Sequence, residues 1–240
     1  MIRNVAIVVF THSNYSDVWP IFFGQAAKYL GKFKIYLFVD KHMEGIPDDV
    51  EVILYDENDD YQTRFATCLQ QVEEQYVILH HEDMPLYAEP NIDRIKDYVH
   101  MIAKHQFDSV KLLKGGEMNG TPHKDLKELI LIPSSSSWLF SIQPTIWERD
   151  KLQLIYDETQ GNTIWEFEVN AQQICRNHKM KNYYYYDGEP KRGRYHFDSK
   201  VYPYIATAVS KGKWVMSEYP KELGQLLKEY NIDPSVRGTK

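Results

Sequence analysis

The stretch Tyr76-Val77-Ile78-Leu79-His80-His81-Glu82-Asp83-Met84-Pro85-Leu86-Tyr87 decides how this chain is read. The apolar run at its start is too short for a typical helix and is bounded by Gln75 and by charge, which predicts a fully buried strand. The strand breaks off in two histidines and two acids, and Pro85 forbids its continuation in the middle of a sheet. Open α/β sheets bind ligands beyond the carboxyl ends of their strands. Acids at that edge are available to a hard divalent cation, which takes oxygen ligands and often keeps water and phosphate oxygens. A strand that simply ends in a solvated polar turn explains this stretch equally well, so the remaining chain must decide. Within the strand, His80 and His81 point to opposite faces. One is expected to line a site and the other to be buried against a helix.

Upstream, strand-like runs alternate with helical patterns, which argues for βαβ units and a parallel sheet. Strands are predicted over 5–10, 33–39 and 50–55. A helix is predicted from Trp19 to Leu30, with Ser16 or Asp17 as its cap, Pro20 in its first turn and Gly31 at its end. A second helix is predicted over 61–74, with Phe65, Cys68, Leu69 and Val72 on one face. Downstream the pattern loosens. Helices are expected over 92–105 and 163–177, another from near Thr145 to Tyr156, and one in the tail with Leu223, Leu226, Leu227 and Tyr230 on its apolar side. Short strands are expected over 109–113, 129–132, 138–142 and 179–186. The expectation is a single α/β domain over 1–240: a nucleotide-binding-like half over 1–90, then a mixed half over 91–240 able to cover an acceptor.

Composition narrows the classes. A chain of 240 residues buries a substantial core, and no apolar run is long enough to span a bilayer. The opening residues Met1 to Phe10 superficially suggest a signal peptide, but the run is short, lacks a small-residue cleavage site and passes into Thr11-His12-Ser13-Asn14, so a first strand is expected. The two cysteines, Cys68 and Cys175, have no metal-ligand spacing and point to a reducing cytoplasm. A formal charge of −6 excludes general electrostatic binding of nucleic acid. Tyrosine is abundant, at eighteen, and such amphipathic rings suit sugar or nucleobase faces as well as cores.

Missing motifs exclude further chemistry. There is no Walker pattern and no Gly-x-Gly-x-x-Gly turn after the first strand. No His-Glu-x-x-His spacing supports a zinc hydrolase, and no Gly-x-Ser-x-Gly elbow supports a serine nucleophile. What remains are polar groups at strand ends. Thr11, His12, Ser13 and Tyr15 offer hydroxyls, an imidazole and a ring for nucleobase recognition, or merely a turn and a helix cap. Asp40 closes the second strand and can serve a ribose, a base or a turn. Arg64 suits a diphosphate or sugar hydroxyl, or an ion pair with Asp56-Glu57-Asn58-Asp59-Asp60. In Trp165-Glu166-Phe167-Glu168, flanking aromatics would desolvate the acids and raise a carboxyl toward general-base use. The simpler account is acids complementing a helix dipole above a packed core. Glu166 and Glu168 diverge on a helix, so only one is expected to face a shared pocket. Arg192, Arg194 and His196 in a basic loop can close over a diphosphate; Lys191, Arg192 and Arg194 with Tyr183–Tyr186 as a small nucleic-acid patch is the weaker reading, given the acidic total and the absence of an RNA-binding motif.

Taken together, Phe10-Thr11-His12-Ser13-Asn14-Tyr15-Ser16-Asp17-Val18-Trp19-Pro20, Leu79-His80-His81-Glu82-Asp83-Met84, Ser141-Ile142-Gln143-Pro144-Thr145-Ile146-Trp147, Trp165-Glu166-Phe167-Glu168 and the tail from Lys211 to Gly238 resemble GT-A-type nucleotide-sugar glycosyltransferases. The resemblance is especially to small bacterial and viral enzymes of surface-polysaccharide assembly. The resemblance implies a Rossmann-type mixed sheet flanked by helices, with a smaller C-terminal acceptor-side region. It implies a nucleotide-sugar donor, a saccharide or lipid-linked acceptor, and a cytoplasmic enzyme with peripheral contact at the membrane face. It implies Mn²⁺ or Mg²⁺ held by Asp83 with His196, and a donor contact from Glu82. It also implies a base at Glu166 or Glu168 acting with inversion. Where the family carries Asp-x-Asp, this chain reads His81-Glu82-Asp83. That departure keeps open a non-catalytic nucleotide- or sugar-binding module. A nucleotidyltransferase is the other alternative, although the loop after the first strand lacks glycine, lysine and arginine.

Overall fold

The computed structural model describes residues 4–116, 119–161 and 163–240; Met1, Ile2 and Arg3, read above as the flank of the first strand, lie outside them. In the first third, strands β1 (Val5–Phe10), β2 (Lys34–Val39), β3 (Val50–Leu54) and β4 (Tyr76–His81) alternate with helices α1 (Trp19–Tyr29) and α2 (Tyr61–Leu69). Then follow α3 (Ile92–His105), β5 (Ser109–Lys111), β6 (Thr121–Pro122), β7 (Leu129–Leu131), β8 (Thr145–Glu148), α4 (Arg149–Glu158), α5 (Ile164–Asn177) and β9 (Asn182–Tyr185). The tail holds the small pair β10 (Val209–Ser210) and β11 (Lys213–Trp214), then α6 (Pro220–Glu229) and α7 (Pro234–Arg237).

One mixed sheet runs in the order β3-β2-β1-β4-β8-β5-β9-β7-β6. Its first four strands are parallel, as the alternation predicts. β8 then runs antiparallel to both neighbours, β4 and β5. The period of two is clean in β1: Val5, Ile7 and Val9 face one core, with Trp19, Phe22, Tyr98 and Leu223. Ala6, Val8 and Phe10 face the other, with Phe65, Leu152, Tyr156 and Phe167. Helices α1, α3 and α6 therefore cover one face of the sheet, and α2, α4 and α5 the other.

Three expectations are corrected. Residues 138–142 form no strand; Leu139 and Phe140 are fully buried, but Gln172 on α5 takes up the N–H and C=O of Phe140, the groups a ladder would have used. Thr145 opens a strand and not a helix, because Thr145, Ile146 and Trp147 fill the centre of the sheet, where β-branched and aromatic residues pack best; the helix begins only at Arg149. Finally, α1 has Val18 at its cap without a side-chain bond, and Asp17 instead pairs with Arg237 from the tail.

Candidate functional site

The sheet's topology gathers ends that are distant in sequence. β1 and β4 leave the sheet side by side with Phe10 opposite His81, so Thr11-His12 emerges beside Glu82-Asp83. Because β8 runs the other way, its entry lies at the same edge, and Thr145 pairs both with Leu79 of β4 and with Lys111 of β5. A cleft of about 890 Å³ opens over these ends. It lies between β1 and β4, where the connections turn to opposite sides, the place where open α/β sheets bind ligands.

Of the residues expected to bind a donor, Thr11, His12, Tyr15, Glu82 and Arg194 line the cleft. Thr11 is fixed by the Trp19 indole N–H at 3.0 Å on its hydroxyl and by the Tyr55 hydroxyl on its carbonyl. His12 accepts the Asn14 N–H on Nδ1, which leaves the proton on Nε2 to donate to Glu57 at 2.5 Å. The Arg237 guanidinium lies 4.8 Å over the Tyr15 ring. Ser13, Asp40, Arg64 and Arg192 do not reach the lining, and each has a structural engagement. Asp40 accepts the Ser13 N–H and hydroxyl at 2.6 and 2.7 Å, stitching the β1 loop to β2. Burial pushes the Asp40 carboxyl up, but these bonds outweigh it and leave it below its ordinary value. Arg64 ties the acidic turn through the carbonyls of Glu57 and Asp59. Arg192 pairs with Glu222 at 2.6 Å and lies over Tyr219.

The two acids at the end of β4 do reach the cleft. Glu82 is buried and Asp83 half-buried. Burial raises both carboxyls well above their ordinary range, and for Glu82 the charge of Asp83 adds to it. Adjacent acids whose carboxyls burial raises, on the lining of one cleft, suit a divalent cation that would offset both charges. His81 also lines the cleft, while His80 is buried edge-on to Phe22 of α1 at 5.2 Å, the division of faces expected from the sequence. His196 reaches the cleft wall but is not gathered with the acids. Among the described residues the triads with ligand atoms within 4.8 Å of one another are His12–Asp40–Glu57 and His105–His123–Asp125. His196 instead stacks parallel on Tyr219 with Nε2 3.4 Å from Glu218. Gly193 permits this closure, since a Cβ there would meet Glu218 at 2.5 Å and His196 at 2.6 Å.

The start of α5 also borders the cleft, capped by Thr163, whose hydroxyl accepts the Glu166 N–H. Phe167 is the anchor: fully buried, stacked on Tyr156 at 4.4 Å and edge-on to Tyr61 and Phe140. With Phe167 turned inward, the i, i+3 pair Trp165 and Glu168 faces the cleft, and Glu166 is exposed outside its lining. Glu168 accepts the Ile142 N–H at 2.9 Å. Its carboxyl is raised by burial, moderated by that bond and by the charge of Lys111.

Two residues that sequence reasoning missed complete this wall. Lys111 is buried at the cleft, donates to the Ser141 hydroxyl at 2.7 Å, and is brought down to about 7 by burial. Its signal was a lone lysine inside the apolar run Ser109-Val110-Lys111-Leu112-Leu113. Gln172, one turn beyond Glu168, makes the clamp on Phe140 described above; nothing in its sequence context distinguished it from a surface glutamine.

No protein-family model matches the chain, and no curated protein matches it by sequence. By structure it is similar to TarS residues 1–349 of S. aureus, with a TM-score of 0.52 at 14% identity, over 98% of this chain and 68% of that one. A structure of the same TarS fragment in complex with UDP gives a TM-score of 0.50 at 15% identity over the same shares of the two chains. A CMP:2-keto-3-deoxy-manno-octonic acid synthetase complexed with CTP gives 0.48 at 13% identity, over 76% of this chain and 89% of that one. At these identities the likeness is one of fold. Among the described residues no helix is long and apolar enough to cross a membrane. The chain has a GT-A-type fold, a mixed sheet flanked by helices.

Proposed function

We propose that this chain is a glycosyltransferase that moves a sugar from a nucleoside-diphosphate donor to a hydroxyl of a saccharide acceptor, free or lipid-linked, with inversion. One observation supports the reading: the acids closing β4 and Glu168 on α5 line the same cleft, whose volume of about 890 Å³ is large enough for a sugar. The donor's base lies at the Thr11–Tyr15 end, and its diphosphate runs toward Glu82 and Asp83. Asp83 and Glu82 are the residues that would hold Mn²⁺ or Mg²⁺, which when bound supplies Lewis-acid stabilisation of the leaving diphosphate. Arg194 and Lys211 add fixed positive charge along the same cleft.

Glu168 is the base. Its Oε1 is oriented by the Ile142 N–H, and its raised carboxyl brings its proton affinity closer to that of a base working near neutrality. As the acceptor oxygen attacks the anomeric carbon, the hydroxyl proton passes to Glu168 and the bond to the diphosphate oxygen breaks on the opposite face. The leaving group is already a good one and needs no general acid, unlike that of a glycosidase.

Glu168→Gln is expected to lower turnover by about two to four orders of magnitude with donor binding retained, while Glu166→Gln stays near wild type. The assay follows product by type: release of nucleoside diphosphate supports glycosyl transfer, and release of pyrophosphate from a nucleoside triphosphate would replace this reading with nucleotidyl transfer. Unchanged turnover in Glu168→Gln removes the base assignment.

A further inference from the structure

Among the described residues, six large hydrophobic side chains are exposed: Met43, Leu54, Trp165, Val169, Tyr195 and Val236. Only two of them are aromatic, and both line the one cleft that holds Glu82, Asp83 and Glu168. Trp165 is 67% exposed and Tyr195 52%. An indole left in water forgoes the stabilisation that burial supplies; of the other four tryptophans, Trp19, Trp147 and Trp214 are fully buried and Trp138 half-buried. The helix had an inward aromatic position to offer and filled it with Phe167. Trp165 is thus set on the cleft face, one turn before Glu168.

The second ring is firmly based. The Gly116 N–H donates to the Tyr195 carbonyl. The Trp138 indole lies 6.0 Å from the Tyr195 ring. Trp138 itself rests on Gly116, where a Cβ would come within 2.6 Å of the indole. Gly116 has φ +57°, so both its conformation and the close approach require glycine.

We propose that Trp165 and Tyr195, the latter backed by Trp138, are the acceptor subsite, two aromatic walls that hold the C–H face of a pyranose ring beside Glu168. This rests on the glycosyl-transfer reading and adds the chemistry of the acceptor. A pyranose presents an apolar face and a hydroxyl edge, and the subsite mirrors both. Its rings take the face, and Glu168, Glu218 and Arg194 at the same cleft supply partners for the edge. An acyl chain would lie against those polar groups and offer them no hydrogen bond, so the walls fit the sugar part of an acceptor and not a lipid tail.

The experiment is saturation-transfer NMR and Trp fluorescence on the intact chain with the methyl β-pyranosides of glucose, galactose and N-acetylglucosamine, with UDP binding measured in parallel by calorimetry. Trp165 and the half-buried Trp138 both line the cleft, so the emission that reports Trp165 is the part of the change lost in Trp165→Ala. Wild type should show transfer to the ring C–H protons of one face. Trp165→Ala and Tyr195→Ala should each weaken pyranoside binding roughly tenfold or more, with unchanged melting temperature and unchanged UDP affinity. No transfer to any of the three pyranosides overturns the proposal, as does transfer that survives Trp165→Ala. A comparable loss of UDP affinity in Trp165→Ala also overturns it and makes the ring a nucleobase platform. Pyranoside binding that Trp165→Ala abolishes, in a protein that binds no nucleotide, upholds the subsite and sinks glycosyl transfer instead.

Discussion

Glu168 and Lys111 are coupled across the Ser141–Ile142 segment, and the coupling has a sign. Protonated Lys111 favours the carboxylate of Glu168, so Lys111→Met removes that help and lets the carboxyl titrate higher. A base must be ionised to act, so the acid limb of the kcat–pH profile should move to higher pH in Lys111→Met; an unmoved limb would dismiss the coupling. Stability tests the same residue independently. Folded Lys111 releases its proton near 7, whereas an unfolded lysine holds it to about 10.5. Between those values the unfolded chain binds more protons, so stability rises with pH through that window. Lys111→Met should flatten that rise in urea titrations. Glu82 and Asp83 carry the opposite logic: burial makes them hold protons that a cation must displace. The rise in melting temperature on adding Mn²⁺ should therefore be larger at about pH 8.5 than at about pH 5.5, and should vanish in Asp83→Asn. An equal shift at both pH values would place the cation elsewhere.

Helix α5 shows how an element is made into a site wall. Its inward residues Phe167 and Gln172 fix it, Phe167 by ring packing and Gln172 by standing in for a strand against Phe140. Gln172→Ala would strand a buried N–H and a buried C=O, each costing about 1–3 kcal/mol. The expected result is a clear loss in denaturant stability together with faster proteolysis around residues 134–143, because that segment has no ladder of its own. Wild-type proteolysis would show that side-chain packing alone holds it. The elements themselves were legible to different degrees. β1, β2, β4 and α3 were readable because period and punctuation agree. β8 was misread as helix because Thr145-Ile146-Trp147-Glu148 runs directly into α4 without a breaker, and only its place between β4 and β5 makes it a strand. Run 138–142 was apolar because it is buried, not because it is a strand.

At the scale of the molecule, the convergence of the β4 acids with the Trp165–Glu168 segment was legible in the sequence as a wager on a family resemblance. Its physical cause was not, because it depends on β8 reversing direction and turning its entry toward the site. The donor-side assignments divide along the same line. Thr11 and Glu82 follow from strand ends and reach the cleft, whereas Arg64 and Arg192 were judged by charge alone and are engaged elsewhere, Arg64 with carbonyls of the adjoining acidic turn and Arg192 with Glu222 of α6.

That reversal also governs the order in which the chain can be completed during synthesis. β4 is flanked by β1 on one side, but its other flank stays bare until residues 145–148 have been made, more than sixty positions later. A nascent chain halted near residue 105 therefore carries an unsheathed row of amide groups on an apolar ribbon, the template on which foreign strands assemble. Expressed as a fragment, residues 1–105 should pellet or form thioflavin-positive material, and mixing in a peptide spanning 143–158 should keep them dispersed. A monodisperse fragment in sedimentation would mean the ribbon protects itself.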